Sequence, residues 1–288
     1  MNNPLFIGAC TAMVTPFIDG KVNYSMMDQL LQRQIDSGIK AVVIAGTTGE
    51  SATLTDEEKI KLFKHCKEYI GKQCILIAGT GSNSTAHSIT LSIAAQEAGV
   101  DALLIVSPYY NKASPDGIYL HYQSICQAVS LPVIVYNVPS RTGLDIPIRV
   151  YQQLSHISNI AGVKEASTDI TKIARIRNAC GSKFSIWTGN DDQIIPAMSM
   201  GSVGVISVLS NVKPIETVTI CNAAINGNYN TGADLHCKLL PLIDALFSEV
   251  NPIPVKAAME LIGYNCGGCR LPLCDITPEN LAKLQACI

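Results

Sequence analysis

Charged residues are scarce in this sequence. Asp, Glu, Lys and Arg make up 15% of its 288 residues, and the formal net charge is −2. The sequence contains no block of basic residues and no basic stripe interleaved with aromatics, so we expect no nucleic-acid partner. No apolar stretch is long enough to span a bilayer, so we expect no membrane partner.

Targeting and nucleotide-binding signals are also missing. The first residues, Met1-Asn2-Asn3-Pro4-Leu5-Phe6, lack the basic flank and long apolar run of a signal peptide, and we expect a cytoplasmic protein. The glycine-rich stretches 46–51 and 79–84 match neither the G-x-G-x-x-G fingerprint nor a phosphate-binding P-loop. We therefore expect no dinucleotide or ATP cofactor.

Cysteine, by contrast, is abundant, with eleven residues. Most lie singly in apolar segments, which predicts reduced, core-filling thiols in a protein without an export signal. Cys266, Cys269 and Cys274 form a cluster whose C-x-x-C spacing could hold zinc or form a disulfide. No second C-x-x-C and no neighbouring histidine completes such a site, so we favour a turn and expect no metal.

Hydrophobic residues make up 48% of the chain and recur in eight short runs. The runs are continuous rather than alternating, which is typical of parallel strands covered on both faces. They begin roughly 20 to 35 residues apart, which leaves room for a helix between successive strands. The predicted strands are 9–15, 41–45, 75–78, 102–106, 133–136, 160–164, 184–187 and 204–208.

Helix signals lie between these runs. Thr55-Asp56-Glu57-Glu58 has the pattern of a capping box, in which Thr55 and Glu58 satisfy each other's main-chain amides. Apolar stripes at helical spacing follow the first and eighth runs. These stripes are Met27, Leu30, Leu31 and Ile35, and Ile215, Val218, Cys221 and Ile225.

Eight strands alternating with helices predict an α/β fold, a (β/α)8 TIM barrel with a C-terminal helical appendage. The alternative is an open doubly wound sheet, which the missing dinucleotide fingerprint disfavours. We expect residues 1–225 to form the barrel and carry the active site. Residues 226–288 are expected to be a helical region packed on the barrel, not an independent domain.

Lys164 ends the sixth run, where an ammonium ion would lose hydration. A lysine that loses its proton there can form Schiff bases with carbonyl compounds. Alternatively, the side chain could reach water or pair with Glu165. In a barrel, chemistry lies at the C-terminal ends of the strands. Several polar side chains would meet Lys164 at that end; they include Thr47, Thr48, Tyr110, Tyr136 and Arg141.

Three of these strand-end segments closely resemble signatures of the dihydrodipicolinate synthase family. They are Gly46-Thr47-Thr48-Gly49-Glu50-Ser51, Tyr136-Asn137-Val138-Pro139-Ser140-Arg141-Thr142-Gly143 and Gly162-Val163-Lys164-Glu165. The resemblance runs from Thr15-Pro16 to the segment 251–256. The family belongs to the pyruvate-dependent class I aldolases, which also include N-acetylneuraminate lyase. Thr47-Thr48 and the Ser-Arg-Thr-Gly ending of the second segment resemble the sequences of the synthases rather than those of the lyases.

The resemblance implies condensation of pyruvate with L-aspartate 4-semialdehyde in lysine and diaminopimelate biosynthesis, catalysed by a lyase without a cofactor. Lys164 would form the imine with pyruvate, which is bound covalently as a substrate. Tyr136 would shuttle protons, and Thr47 would link it to Tyr110 of a neighbouring subunit.

The same resemblance assigns the binding residues. Thr48 would hold the pyruvate carboxylate, and Arg141 would receive the carboxylate of the second substrate. Gly189 and Ile206 would line the pocket through their backbones. The smallest active unit would be a dimer, and a dimer of dimers is expected as the homo-oligomer.

The resemblance also implies an effector site for lysine at a subunit interface. Its positions here are Ser51, Ala52, Lys59, Asn83, His87 and Tyr109. Lysine-inhibited bacterial members usually carry histidine in place of Lys59 and glutamate in place of His87. Because Lys59 and His87 put neutral or positive groups near a cation, we expect weak inhibition or none.

Two alternatives to a synthase stay open at this point. A retro-aldol lyase acting on a sugar acid would want hydroxyl partners where Arg141 stands. A catalytically inactive barrel used for binding would not need Lys164, Tyr136, Thr47 and Tyr110 together.

We expect Glu50 to brace its loop and Glu165 to form an ion pair.

Overall fold

A computed structural model describes residues 4–288. Its centre is a closed barrel of eight parallel strands, which confirms the predicted fold class. The strands are β1 (Gly8–Ala12), β4 (Ala41–Ile44), β5 (Ile75–Gly79), β6 (Ala102–Val106), β7 (Val133–Asn137), β8 (Ile160–Glu165), β9 (Ser185–Thr188) and β10 (Gly204–Ser207). Around the barrel their order is β1-β10-β9-β8-β7-β6-β5-β4.

A small antiparallel hairpin follows the first barrel strand and was missed by the sequence analysis. It pairs β2 (Phe17–Ile18) with β3 (Lys21–Val22). Its two-residue turn, Asp19-Gly20, has positive φ angles of 49° and 72°. Asp-Gly is a strong hairpin signal because both residues tolerate this left-handed backbone.

Helices cover the outside of the barrel. They are α1 (Tyr24–Asp36), α2 (Asp56–Ile70), α3 (Thr85–Glu97), α4 (Pro115–Ala128), α5 (Pro139–Thr142), α6 (Ile148–Leu154), α7 (Thr171–Cys180), α8 (Ile194–Ser199), α9 (Pro214–Ile225), α10 (Tyr229–Leu246), α11 (Ile253–Leu261) and α12 (Pro278–Gln285). Short 3-10 turns, Asp191–Gln193 and Leu209–Asn211, follow β9 and β10.

The helix signals are confirmed at α2 and partly wrong at α9. Thr55 Oγ1 accepts from the Glu58 amide at 3.2 Å, and Glu58 Oε2 accepts from the Thr55 amide at 3.0 Å. In α9, however, Ile215 is 64% exposed and Ile225 is 46% exposed. The buried face is instead formed by Pro214, Thr217, Ile220, Cys221 and Ala224. A helix with apolar residues on several faces does not reveal which face packs inward.

The core has two layers, as strand alternation requires. Inside the barrel pack residues such as Cys10, Val43, Ile134 and Trp187. Between the strands and the helices lies a larger layer that includes residues from both. Continuous burial of the strands follows because each face meets one of these layers.

Among the C-terminal helices, α10 packs directly on the barrel helices. Helix α10 lies against α8 and α9, and α11 and α12 lie against α10. The boundary at residues 225/226 and the lack of independence of 226–288 stay predictions. Cys266 is buried, Cys269 half-buried and Cys274 exposed, each as a free thiol.

Within residues 4–288, no group of His, Cys, Asp and Glu side chains is arranged to hold a metal ion. No described helix is both long and apolar enough to cross a membrane.

Candidate active site

Tyr136 and Lys164 are direct neighbours on β7 and β8. The strand register pairs Tyr136 with Lys164 and Asn137 with Glu165. Both members of the first pair point inward, and Lys164 Nζ lies 4.5 Å from the centroid of the Tyr136 ring. Lys164 is only 5% exposed. The phenol and the amine therefore share one buried corner of the barrel.

Gly189 leaves room for the lysine side chain. A Cβ atom at Gly189 would lie 2.8 Å from Lys164 Cε and 2.7 Å from Ala166 Cβ. Real Cβ atoms do not approach other carbons this closely, because van der Waals contact begins near ~3.5 Å. A side chain at this position would therefore push Lys164 aside.

A cavity of about 150 Å³ opens above Lys164 at the C-terminal ends of the strands. Six of the expected site residues line it: Thr47, Thr48, Tyr136, Arg141, Lys164 and Gly189. Ile206 is fully buried in the barrel interior, and Val208 lines the cavity in its place. Tyr110 lies outside the cavity, 92% exposed, with a positive φ of 72°.

The turn after β4 carries Thr47 and Thr48. Ala45 and Glu50 begin and end it with positive φ angles of 53° and 55°, a backbone conformation that non-glycine residues adopt only when their surroundings enforce it. Within residues 4–288, the amides of Thr47 and Thr48 donate to no protein acceptor. Two free N–H groups in one tight turn form a concavity suited to an anion.

Glu50 braces this turn, as expected from the sequence. Its carboxylate accepts from Lys256 Nζ at 2.9 Å and from the Arg270 amide at 2.8 Å. Lys256 also donates to Gly268 O at 2.8 Å. The side chains of Glu50 and Lys256 are buried. The C-terminal region is thereby tied directly to the turn that carries the threonines.

Glu165 forms no ion pair with the residues that the structure describes, contrary to the expectation. Its carboxylate accepts from Asn137 Nδ2 at 2.9 and 3.1 Å, from the Tyr151 hydroxyl at 2.9 Å and from the Ser167 amide at 2.9 Å. Adjacent strand residues face opposite sides, so Glu165 points away from Lys164 into the helical layer. Burial and the charge of Glu165 raise the pKa of Tyr151, which keeps its hydroxyl protonated as a donor.

Asp191 joins the ends of β9 and β10. Its Oδ2 accepts from the amides of Val208 and Leu209 at 2.9 and 2.8 Å. Burial raises the pKa of this carboxyl, although its hydrogen bonds and Lys164 oppose the rise. Asp191 thereby fixes Val208 at the edge of the cavity.

A second cavity of about 650 Å³ adjoins the first, and its lining includes Thr47, Arg141 and Asn251 from the smaller one. All six expected effector positions also line it: Ser51, Ala52, Lys59, Asn83, His87 and Tyr109.

Asp56 is an acidic group of this second cavity that the sequence analysis did not consider. It lies 2.7 Å from His87 Nε2 and 3.6 Å from Lys59 Nζ. Partial burial raises the pKa of Asp56, but the hydrogen bond and charge of His87, with Lys59, outweigh this and lower it. Lys59 and His87 are thus both engaged by one carboxylate.

Sequence reasoning missed several residues of the smaller cavity. Asn251 Nδ2 donates to Thr48 Oγ1 at 3.0 Å, although 203 residues separate the two. Nothing in local spacing signals such a contact. Further lining residues that were not assigned a role include Ser140, Asn190, Val208 and Phe247.

Comparisons with known proteins give a consistent result. Residues 5–288 match the model of the dihydrodipicolinate synthetase family. The 4-hydroxy-tetrahydrodipicolinate synthase of Clostridium perfringens (strain 13 / Type A) is 44% identical over 281 residues, which cover 98% of this chain and 97% of that protein.

Two solved structures are similar over almost the whole chain. The dihydrodipicolinate synthase of Cyanidioschyzon merolae with lysine bound has a TM-score of 0.96 and 37% identity, covering 99% of this chain and 98% of that one. The chloride-inhibited synthase of Acinetobacter baumannii complexed with pyruvate has a TM-score of 0.95 and 38% identity, covering 98% and 97%.

Proposed function

The chain belongs to the dihydrodipicolinate synthetase family, and on this basis we propose that Lys164 binds pyruvate as a Schiff base. Its activity is that of a 4-hydroxy-tetrahydrodipicolinate synthase, a lyase that condenses pyruvate with L-aspartate 4-semialdehyde in lysine and diaminopimelate biosynthesis. The observation that supports our proposal most directly is the buried Lys164 amine beside Tyr136, under a cavity lined by Thr47 and Thr48.

In the first step, uncharged Lys164 Nζ attacks the keto carbon of pyruvate. The carbinolamine that forms loses its oxygen as water, and the product is a protonated imine. Loss of a proton from the methyl group then gives an enamine, whose carbon attacks the aldehyde of the second substrate. No metal or organic cofactor enters the reaction, because the protonated imine itself withdraws the electrons.

Tyr136 is the proton carrier in this proposal. A phenol held near the amine can take and return protons during imine formation and carbon–carbon bond formation. Thr47 connects it to Tyr110 of a second subunit. The almost complete exposure of Tyr110 supports this role, because a side chain that reaches out of its own subunit is free to enter another.

The carboxylates of the two substrates bind to different groups that line the cavity. The free amides of the turn and the hydroxyl of Thr48 hold pyruvate. Arg141 offers a planar pair of donors that matches the carboxylate of aspartate semialdehyde in two hydrogen bonds. Gly189 leaves space for Lys164 at the cavity, whereas Ile206 packs in the barrel interior and does not line it.

We place the protein in the cytoplasm as a homo-oligomer, with a dimer as the smallest active unit and a dimer of dimers as the full assembly. The cavity of about 650 Å³ is the effector site of this proposal. Because His87 and Lys59 already engage Asp56, an arriving lysine ammonium finds no free carboxylate there. Lysine should inhibit weakly or not at all, and half-inhibition at sub-millimolar lysine would contradict this.

Borohydride reduction tests the central step. With pyruvate present, reduction should leave a stable adduct on the peptide that contains Lys164, seen by mass analysis, and Lys164→Ala should have neither adduct nor turnover. A wild-type protein without an adduct would refute the proposal. Assays with aspartate semialdehyde against N-acetylneuraminate then separate the synthase from a sugar-acid lyase.

A further inference from the structure

Behind Tyr136 and Lys164, on the outer side of the barrel wall, their next neighbours form a hydrogen-bonded cluster. We call Asn137, Tyr151, Glu165 and the Ser167 amide the outer network. Glu165 accepts all of its hydrogen bonds from uncharged donors, and both of its carboxylate oxygens are occupied. Glu165 and Asn137 are both buried. A buried carboxylate with four donor contacts is held in one position.

The outer network links β7 to β8 at the level of the reacting residues. Asn137 follows Tyr136 and Glu165 follows Lys164, and the register pairs them across the two strands. Asn137 is itself fixed, because Ile146 N donates to its Oδ1 at 3.1 Å and its Nδ2 donates to Asp145 at 2.9 Å. The hydrogen bond between Asn137 and Glu165 therefore joins two side chains that other contacts also hold in place.

Strand β8 needs such a link because its pairing is irregular. Between Val133 and Ile134 of β7 the partner on β8 jumps from Ile160 to Gly162, so one residue is bulged out. A β-bulge shifts which side chains face inward on the strand beyond it. A change of one residue in register would move Lys164 to the outer face and Glu165 into the barrel.

The cluster also positions the segment that follows Lys164. Ala166, which lines the active-site cavity, donates its amide to Asn137 O at 2.9 Å. The Gly189 amide donates to Glu165 O at 2.7 Å. Two residues near the Lys164 side chain, Ala166 and Gly189, are thus held by main-chain hydrogen bonds to the Asn137–Glu165 pair.

We propose that Glu165 and Asn137 are positioning residues that hold Tyr136 and Lys164 in register for imine formation. This assignment rests on the proposed role of Lys164 as the imine-forming amine. An error of about 1 Å in such an alignment can lower a rate by about 100-fold. The positioning requires hydrogen-bond acceptors at residue 165 but not its negative charge.

The test compares variants by the rate of borohydride trapping with pyruvate, at saturating pyruvate and on folded protein. Glu165→Met removes the acceptors and should slow trapping by about 10- to 100-fold. Glu165→Gln keeps an oxygen for Asn137 and Ser167 and should stay within a few-fold of wild type. Tyr151→Phe removes the hydrogen bond from α6 to Glu165 but keeps the Asn137–Glu165 link between β7 and β8, and it should lower stability with little change in trapping rate.

In case Glu165→Met fails to fold, Asn137→Ser provides a second variant, which loses the cross-strand link together with the contacts of Asn137 to Asp145 and Ile146. A merely structural network would lower the stability of these variants and leave the trapping rate of the folded fraction unchanged, which would overturn the assignment. Equal slowing by Glu165→Gln and Glu165→Met would overturn the claim that charge is dispensable. An absent adduct in wild-type protein would instead reject the proposed function itself.

Discussion

Lys256→Met should destabilise the protein strongly, because it leaves a charge buried without its partner. Glu50 and Lys256 form an ion pair of 2.9 Å between two buried side chains. Methionine has a similar length and no charge, so it removes the ammonium while it preserves most of the packing. The Glu50 carboxylate then keeps the Arg270 amide as its remaining donor.

Removing one partner of a buried ion pair typically costs about 3 to 5 kcal/mol. Two further losses act in the same direction. Lys256 Nζ no longer donates to Gly268 O, and it no longer lies 4.3 Å from the centroid of the Phe17 ring. We expect a decrease of about 4 kcal/mol in the free energy of unfolding, measured by urea denaturation.

The double variant Glu50→Gln with Lys256→Met is the matched control. Neither side chain is charged in it, so the desolvation penalty disappears and more than half of the lost stability should return. Kinetics give a second readout, since Glu50 ends the turn that presents the Thr47 and Thr48 amides. The single variant should have a raised KM for pyruvate, and the double variant should recover toward wild type. A single variant as stable as wild type, or a double variant less stable than the single one, would refute this reasoning.

Three further predictions can be checked separately. Gly189→Ala should lower the rate of imine trapping more than 10-fold, because its methyl group would lie 2.8 Å from Lys164 Cε; unchanged trapping would contradict this steric reasoning. Asn251→Leu removes the donor to Thr48 Oγ1 and should raise KM for pyruvate several-fold with little effect on kcat. Burial lowers the pKa of His121 from its usual 6.5 to about 4, so its contribution to stability is complete above pH 6.5 and is lost as the pH falls to 4. That loss is about 3 kcal/mol, and the stability difference between wild type and His121→Gln should shrink by this amount over the same range.

The barrel itself could be predicted from the sequence because its signals are local. All eight apolar runs became strands of the closed barrel, with ends that differ from the prediction by a few residues. Strands buried on both faces must be apolar throughout, so hydrophobicity alone reveals them. The Thr55 capping box could also be predicted from the sequence, because both of its hydrogen bonds connect residues three apart.

Contacts between distant segments could not be predicted in this way. Ile215 and Ile225 have the spacing of a buried stripe, yet the way α9 docks leaves both exposed. Glu165 was expected to meet a cation, but its nearest donors are neutral groups from β7 and α6. In each case the partner is chosen by the geometry of another element rather than by neighbours in sequence.

The sequence by itself determined the order of strands and helices, and its strand-end residues named the amine, the phenol and the hydroxyls of the proposed site. Only the tertiary structure decided which contacts hold the site in place. Asn251 donates a hydrogen bond to Thr48, Lys256 donates to Glu50, and Asn137 donates to Glu165. Hydrophobic periodicity is a property of short segments and can be read along the chain. Hydrogen bonds between residues up to about 200 positions apart exist only after barrel closure has brought the ends of the strands to one face.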